Sequence, residues 1–259
     1  MDLGIAGRKA LVFGASKGMG RACAQRLSAE GVDVTIAART EATLAQAAKE
    51  ISEATGNTVR YVVADITRDE GRDAALAAVP APDILINNAD GAPPGDFRDW
   101  SPADWHRAID LMMVGPIEMM RRTVDGMMER RWGRIVNIVS RSVKTPQLEL
   151  GLSNGARSGL VGFSAGLARQ TVRHGVTVNN LLPGVFATDA QRDHIRGMLH
   201  TTGKSFEELW EERGAKSVAG RYGEADEFGA LCAFICSAHA GYICGQNILI
   251  DGAGYPGTY

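Results

Sequence analysis

Short apolar runs of strand type alternate with longer segments of helical period along almost the whole chain, and that alternation leaves few folds open. KALVFG (9–14) leads into a helix ending near Glu30, and DVTIAA (33–38) into one from about Thr40 to Thr55. TVRYVVA (58–64) and ILIN (84–87) follow, with a short helical stretch between them. Ser101-Pro102-Ala103-Asp104 reads as a helix start, with a serine N-cap, proline at the first position and an acid in the first turn. That helix is expected to run to about Arg131, bent at Gly115-Pro116. RIVNIV (134–139), a helix over 151–174, TVNNLL (177–182) and NILI (247–250) complete the series. Strands that alternate with helices predict an α/β fold, a doubly wound parallel sheet with helices on both faces. A chain of 259 residues, 45% of them apolar, is long enough for one such core. Neither a repeat nor a linker interrupts it, so residues 1–259 are read as a single domain.

The bulk properties exclude several partners. A formal charge of -2 gives no electrostatic reason to expect nucleic acid or an anionic membrane. No apolar run approaches the roughly 18 to 20 residues that span a bilayer. The N-terminus reads as a short lead into a strand rather than a signal peptide. Cys23, Cys232, Cys236 and Cys244 lack metal-type spacing, and Cys232 and Cys236 fall in an apolar helical run, so buried free thiols and no metal site are expected. A cytoplasmic location fits these features.

One stretch breaks the rhythm. Between Pro183 and Gly220 no strand is evident, but DAQRDHIRGMLH and SFEELWEERGAK read as two short helices. An insertion there, at about 188–217, suits a lid over a site at the strands' carboxyl ends. A surface excursion or an oligomer contact is the plainer alternative.

Chemistry enters with Gly14-Ala15-Ser16-Lys17-Gly18-Met19-Gly20, which follows the first strand and opens a helix. Glycines there allow a tight turn and let phosphate oxygens reach backbone N–H groups. Asp65 and Ile66 lie in VVADIT, Asn88 and Ala89 in NNAD, Ser140 closes GRIVNIVS, and Pro183, Gly184, Val185 and Thr188 lie in NNLLPGVFATD. These motifs, in this order over about residues 7 to 253, resemble the short-chain dehydrogenase/reductase family, and its 3-oxoacyl-acyl-carrier-protein reductase-like members in particular. The resemblance implies a Rossmann-like fold that binds a nicotinamide dinucleotide. Asp65 matches the adenine-contacting aspartate, Asn87-Asn88-Ala89-Asp90 the NNAG motif with aspartate for glycine, and Thr188 the contact to the carboxamide.

Charge argues for one cofactor. Position 38, where an acid would hold the ribose hydroxyls, is alanine, and Arg39 follows it. Arg39, with Lys17 in the glycine loop, favours NADP(H) over NAD(H), because a guanidinium grips a phosphate with a charge-assisted fork.

The catalytic end departs from the family. The resemblance places a carbonyl-polarising serine at Ser140, but the tyrosine position holds Ser153 and the lysine position Arg157. The asparagine of the family's proton relay aligns with Met112. A tyrosine starts near pKa 10 and can be tuned toward neutrality, whereas a serine hydroxyl starts several units higher. Arg157 can bind a ribose and steady a developing oxyanion, yet it cannot shuttle a proton. Three readings follow. The first is an oxidoreductase in which Ser140 and Ser153 hydrogen-bond the carbonyl, Arg157 stabilises charge, and the proton comes from water or from His194, His200 or Glu149; the second a non-redox enzyme of lyase or retro-aldol type that uses Arg157 and the serines to stabilise an enolate; the third a non-catalytic NADP(H)-binding subunit. A small-molecule substrate suits the first two. Methionines in LMMVG, EMMRR and GMMER suggest packing, and the resemblance implies a homodimer or homotetramer paired through this long helix and the next.

Overall fold

The computed structural model describes residues 1–258, and their side chains except those of Ala190, His194, Met198, His200 and Thr201. The strands are β1 (Lys9–Phe13), β2 (Asp33–Ala38), β3 (Arg60–Val63), β4 (Ile84–Asn87), β5 (Gly133–Ile138), β6 (Val176–Pro183) and β7 (Asn247–Ile250). Helices α1 (Gly18–Ala29), α2 (Glu41–Thr55), α3 (Asp69–Ala78), α4 (Pro102–Ile109), α5 (Gly115–Glu129) and α6 (Gly151–Thr171) fall between the first six strands. Helices α7 (Asp189–Thr202), α8 (Phe206–Ala215) and α9 (Ala225–Ile235) separate β6 from β7.

All seven strands are parallel, in the order β3-β2-β1-β4-β5-β6-β7. The order reverses between β1 and β4, and such a switch point opens a crevice at the strands' carboxyl ends. Both faces are covered. One apolar layer joins the sheet to α1, α2 and α9 through Leu27, Leu44, Ile51 and Phe228. The other joins it to α3, α5 and α6 through Ala75, Met119, Met120 and Leu160. Central strands are therefore apolar on both sides, while edge strand β3 leaves Tyr61 and Val63 exposed.

A polar row crosses this apolar sheet. Asn87 Nδ2 donates to Asn137 Oδ1 at 2.9 Å, Asn137 Nδ2 to Asn180 Oδ1 at 2.9 Å, and Asn180 Nδ2 to Asn247 Oδ1 at 2.8 Å. Each pair is in register on adjacent strands, β4 through β7. Ser164 of α6 accepts a further bond from Asn137 Nδ2. Burial makes these amides find partners, and only one register supplies them; Asn87 Oδ1, at the β4 end of the row, is left without one.

The helix expected from Ser101 starts as read: Ser101 Oγ accepts from Asp104 N, and the Asp104 carboxylate accepts from Ser101 N. Its irregularity lies earlier than expected. A π turn occupies Asp110–Val114, and the backbone is helical through Gly115, so Gly115-Pro116 opens α5 rather than bending it. Proline at a helix's first turn removes no bond that the turn needs. Cys23, Cys232 and Cys236 are buried free thiols where α1 meets α9, and hydrogen bonds among these thiols, with burial, push Cys232 and Cys236 well above the ordinary range. Among the described residues no helix is long and apolar enough to cross a membrane, and no acidic, histidine and cysteine cluster is arranged to hold a metal.

Candidate cofactor groove and active site

A groove of roughly 790 Å3 lies over the carboxyl ends of β1, β2, β4 and β5, at the switch point. Its phosphate end is built by the glycine loop. Gly14 and Gly18 hold φ of 60° and 59°. A Cβ on Gly14 would stand 2.7 Å from Asn88 Nδ2, and one on Gly20 would stand 2.4 Å from the Gly14 carbonyl. Asn88 Nδ2 donates to that carbonyl at 2.9 Å, tying the loop to the end of β4. Behind the loop, α1 begins with no side-chain cap and no acid in its first turn. Its first N–H groups are thus left for an anion, and a closely approaching pyrophosphate fits the cradle.

Of the residues expected at the cofactor, Gly14, Ser16, Lys17, Gly18, Met19, Arg39, Asp65, Ile66, Asn88, Ala89, Arg157 and Thr188 all line the groove. Gly20 sits just behind it, as a packing requirement of the turn. Pro183, Gly184 and Val185 do not line it. Pro183 ends β6 beside Ile250, Gly184 N donates to the Ile250 carbonyl at 2.9 Å, and Val185 faces a second cavity. The pairing of β6 with β7 holds this segment between the two cavities.

Asp65 has its carboxyl below the ordinary range. Burial pushes it up, but bonds from Thr67 N and Oγ1 and the charges of Arg39 and Arg68 outweigh that. Arg39 itself pairs with Asp90, Nη2 to Oδ2 at 2.9 Å, with both side chains more than half exposed. Asp90 stands at the glycine position of the resembled motif, and its answer to Arg39 is a feature the linear sequence conceals. Leu111, at the π turn, and Thr43 and Gln46, from α2, also line the groove without having been singled out. Only their fold neighbours reveal them.

The catalytic candidates are close in the chain but are engaged differently. Ser140 ends the β5 segment, and its Oγ accepts from Ser142 N at 3.1 Å and lies 2.9 Å from Ser142 Oγ, which donates to it. Ser153 is buried on α6, where its Oγ accepts from Arg157 Nε at 3.1 Å. Arg157 Nη1 donates to the carbonyls of Ile138 and Val139 at 2.9 and 3.0 Å, and Nη2 to Ala89 at 3.3 Å. A guanidinium has five N–H groups, so one on Nη2 remains for the groove. Burial pulls the Arg157 pKa down to about 10, with Asp90 opposing, so the group stays charged at neutral pH.

Met112 is buried in the π turn against Leu152 and Ala156, the residues flanking Ser153 and Arg157. An apolar contact therefore fills the place where the family resemblance put a water-relay amide. Glu149 is exposed outside the groove lining, and the side chains of His194 and His200 lie outside the described residues. Phe206 and Trp210 stack on each other, and Trp210 lies 4.2 Å from Tyr222 between ring centroids, so they anchor α8 rather than line the groove.

A parallel sheet with a glycine-lined crevice at its switch point defines the Rossmann-like class of dinucleotide folds. The model of the short chain dehydrogenase family matches residues 8–198, and the chain belongs to that family. It is 32% identical to the 3-oxoacyl-[acyl-carrier-protein] reductase FabG of Salmonella typhimurium over 96% of this chain and 98% of that one. Its fold is similar to that of L-sorbose reductase from Gluconobacter frateurii, solved with NADPH and L-sorbose, at TM-score 0.94 and 26% identity over the full length of both chains. An actinorhodin polyketide ketoreductase solved with NADPH is similar at TM-score 0.91 and 28% identity over 98% of each chain.

Proposed function

We propose that the protein is an oxidoreductase that binds NADP(H) and acts on a carbonyl or alcohol group of a small molecule. The observation that carries this reading is the groove, where the glycine cradle, Asp65, Asn88 and Thr188 line one continuous space together with Lys17 and Arg39. NADPH-containing relatives of similar fold and reductases of similar sequence support it. When bound, the dinucleotide supplies the hydride. The chain's own residues position and polarise: Arg39 and Lys17 take the 2′-phosphate, Asp65 orients the adenine, and Thr188 contacts the carboxamide. Ser140 offers its hydroxyl to the substrate oxygen, and the free Nη2 hydrogen of Arg157 supplies positive charge beside it. Ser153 holds Arg157 in place through Nε. The altered pair leaves the proton to water or to a lid residue of segment 188–217. Loss of a tuned donor lowers the rate by about 10²- to 10⁴-fold without removing hydride transfer.

A second reading rests on the hydrogen bonds themselves. Arg157 spends four donors on protein acceptors, and Ser140 Oγ already accepts from Ser142. That economy suits a non-redox enzyme or an NADP(H)-binding subunit in which the pair props the groove. A fluorescence titration with NADPH and NADH tests the common premise. Selective NADPH binding is expected, and Arg39→Ala should weaken NADPH at least tenfold more than NADH, because one charge-assisted phosphate contact contributes about 1.5–3 kcal/mol. Equal losses would remove the phosphate assignment. Turnover of a carbonyl panel with NADPH oxidation then separates the oxidoreductase from the other two. Pairing of subunits through α5 and α6, and a cytoplasmic location, belong to the same proposal.

A further inference from the structure

A second cavity, of roughly 460 Å3, opens beside the groove over the carboxyl ends of β6 and β7. Its floor is Val185, Ile250 and Asp251, and its roof is the end of α8 with the loop to residue 223. Four cations line it: Arg141, Arg213, Lys216 and Arg221. Arg221 is neutralised locally, its Nη1 and Nη2 each donating to Glu227 at 2.8 Å. Arg141, Arg213 and Lys216 have no ion pair or side-chain hydrogen bond among the described residues, and Arg213 Nε is buried without an acceptor. Against them stands a single unpaired acid, Asp251, whose Oδ2 is also buried and unpartnered.

The end of α8 explains part of this arrangement, since cations favour a helix carboxyl terminus. It does not explain Arg141, which comes from the β5 side and packs its Nη1 against Gly254, where a Cβ would stand 2.1 Å away. Nor does it explain a buried guanidinium N–H with no acceptor. Unpartnered buried polar atoms are uncommon, and here two of them, Arg213 Nε and Asp251 Oδ2, line the same cavity, where a bound ligand would satisfy them.

We propose that this cavity is a second binding site, one that seats an oxyanion of the carboxylate or phosphate class between Arg141, Arg213 and Lys216. Asp251 tunes it by repelling the anion, which holds its affinity down. The site stands on its own residues and does not depend on the reading of the groove.

Calorimetric titration of the full chain with inorganic phosphate and, separately, with succinate tests it at low ionic strength. The groove is itself an anion site, so the same titrations are run on a Lys17→Ala, Arg39→Ala double variant. Saturable binding should survive there. Arg141→Gln and Lys216→Ala should each weaken it about fivefold or more, as loss of one close charge at intermediate dielectric requires. Asp251→Asn should tighten it. Lys216 is exposed at the helix end, so its variant tests the site even where a change at Arg141 harms folding. The stronger of phosphate and succinate identifies the class of oxyanion. Binding that disappears in the groove variant and is unchanged in Arg141→Gln and Lys216→Ala overturns the proposal. So does the absence of binding to the unmodified protein.

Discussion

Asp90 and Arg157 decide how much of the groove's charge a ligand can use. Asp90 holds Arg39 in an exposed pair at 2.9 Å, and under the proposed assignment of Arg39 an incoming 2′-phosphate displaces it. Exposed pairs contribute about 0.2–1 kcal/mol, so Asp90→Asn should tighten NADPH by roughly two- to fivefold and leave NADH nearly unchanged. A titration of both nucleotides checks this; equal tightening would place the effect of Asp90 elsewhere in the groove. Arg157→Ala leaves the carbonyls of Ile138, Val139 and Ala89 without that donor, and should lower unfolding free energy by about 2–4 kcal/mol in urea. The folded pKa of about 10 lies below the ordinary arginine value, so burial of this cation costs stability at neutral pH. The cost is relieved only as pH rises above about 10, and nucleotide binding measured from pH 6 to 9 should show no titration from this group. Sequence revealed the chemical identity of Ser153 and Arg157 through the spacing from Ser140. It did not reveal their bonds, because those acceptors are main-chain carbonyls that any residue would supply.

Helix α6 shows the same division at the next scale. Its extent and the strands either side are legible from apolar period, and β2, β4 and β7 fall on the residues read from the sequence. What the period hides is a row of close contacts. A Cβ on Gly151 would stand 2.5 Å from Trp100, one on Gly155 2.9 Å from Trp105, and one on Gly159 2.5 Å from the Met113 sulfur. Four-residue spacing puts these glycines on one helical face, but the rings that use the space come from α4 and its N-terminal flank. Gly162 meets nothing within 4 Å. Gly155→Ala should therefore cost about 1–3 kcal/mol through overpacking. Gly162→Ala should gain about 0.5–1 kcal/mol from helix propensity. Thermal unfolding of the two variants side by side checks the contrast, and a stabilised Gly155→Ala would mean that Trp105 packs less closely. The bend expected at Gly115-Pro116 was misplaced for a related reason: proline at a helix start and proline inside a helix look alike until the preceding turn is known.

For the molecule as a whole, acid is the sensitive direction. Hydrogen bonds and positive neighbours hold the carboxyls of Asp69, Glu118 and Glu227 below their ordinary range, Glu227 at about 2 through its bidentate bond with Arg221. A depressed acid stabilises the fold above its unfolded pKa and loses that contribution as pH falls through the folded value. Stability should accordingly be level near neutrality and fall between about pH 4.5 and 2, with Glu227→Gln flattening the lowest part of the curve. Urea unfolding at a series of pH values reads both. The doubly wound architecture itself was legible from the alternation of strand and helix. The second cavity was not, because its cations lie at positions 141, 213, 216 and 221, and only the return of the chain to β7 brings them to one wall.

The asparagine row carries a consequence for how such a chain can change. All three amide bonds run in one direction, from β4 toward β7, so each inner rung receives on its oxygen and gives from its nitrogen. Replacing Asn137 by leucine strands an acceptor on one neighbour and a donor on the other, whereas replacing several rungs together strands fewer. Substitutions along the row should consequently be strongly non-additive, by about 0.5–3 kcal/mol in a double-mutant cycle. Replacing the four positions together should therefore cost less than the sum of the four single replacements.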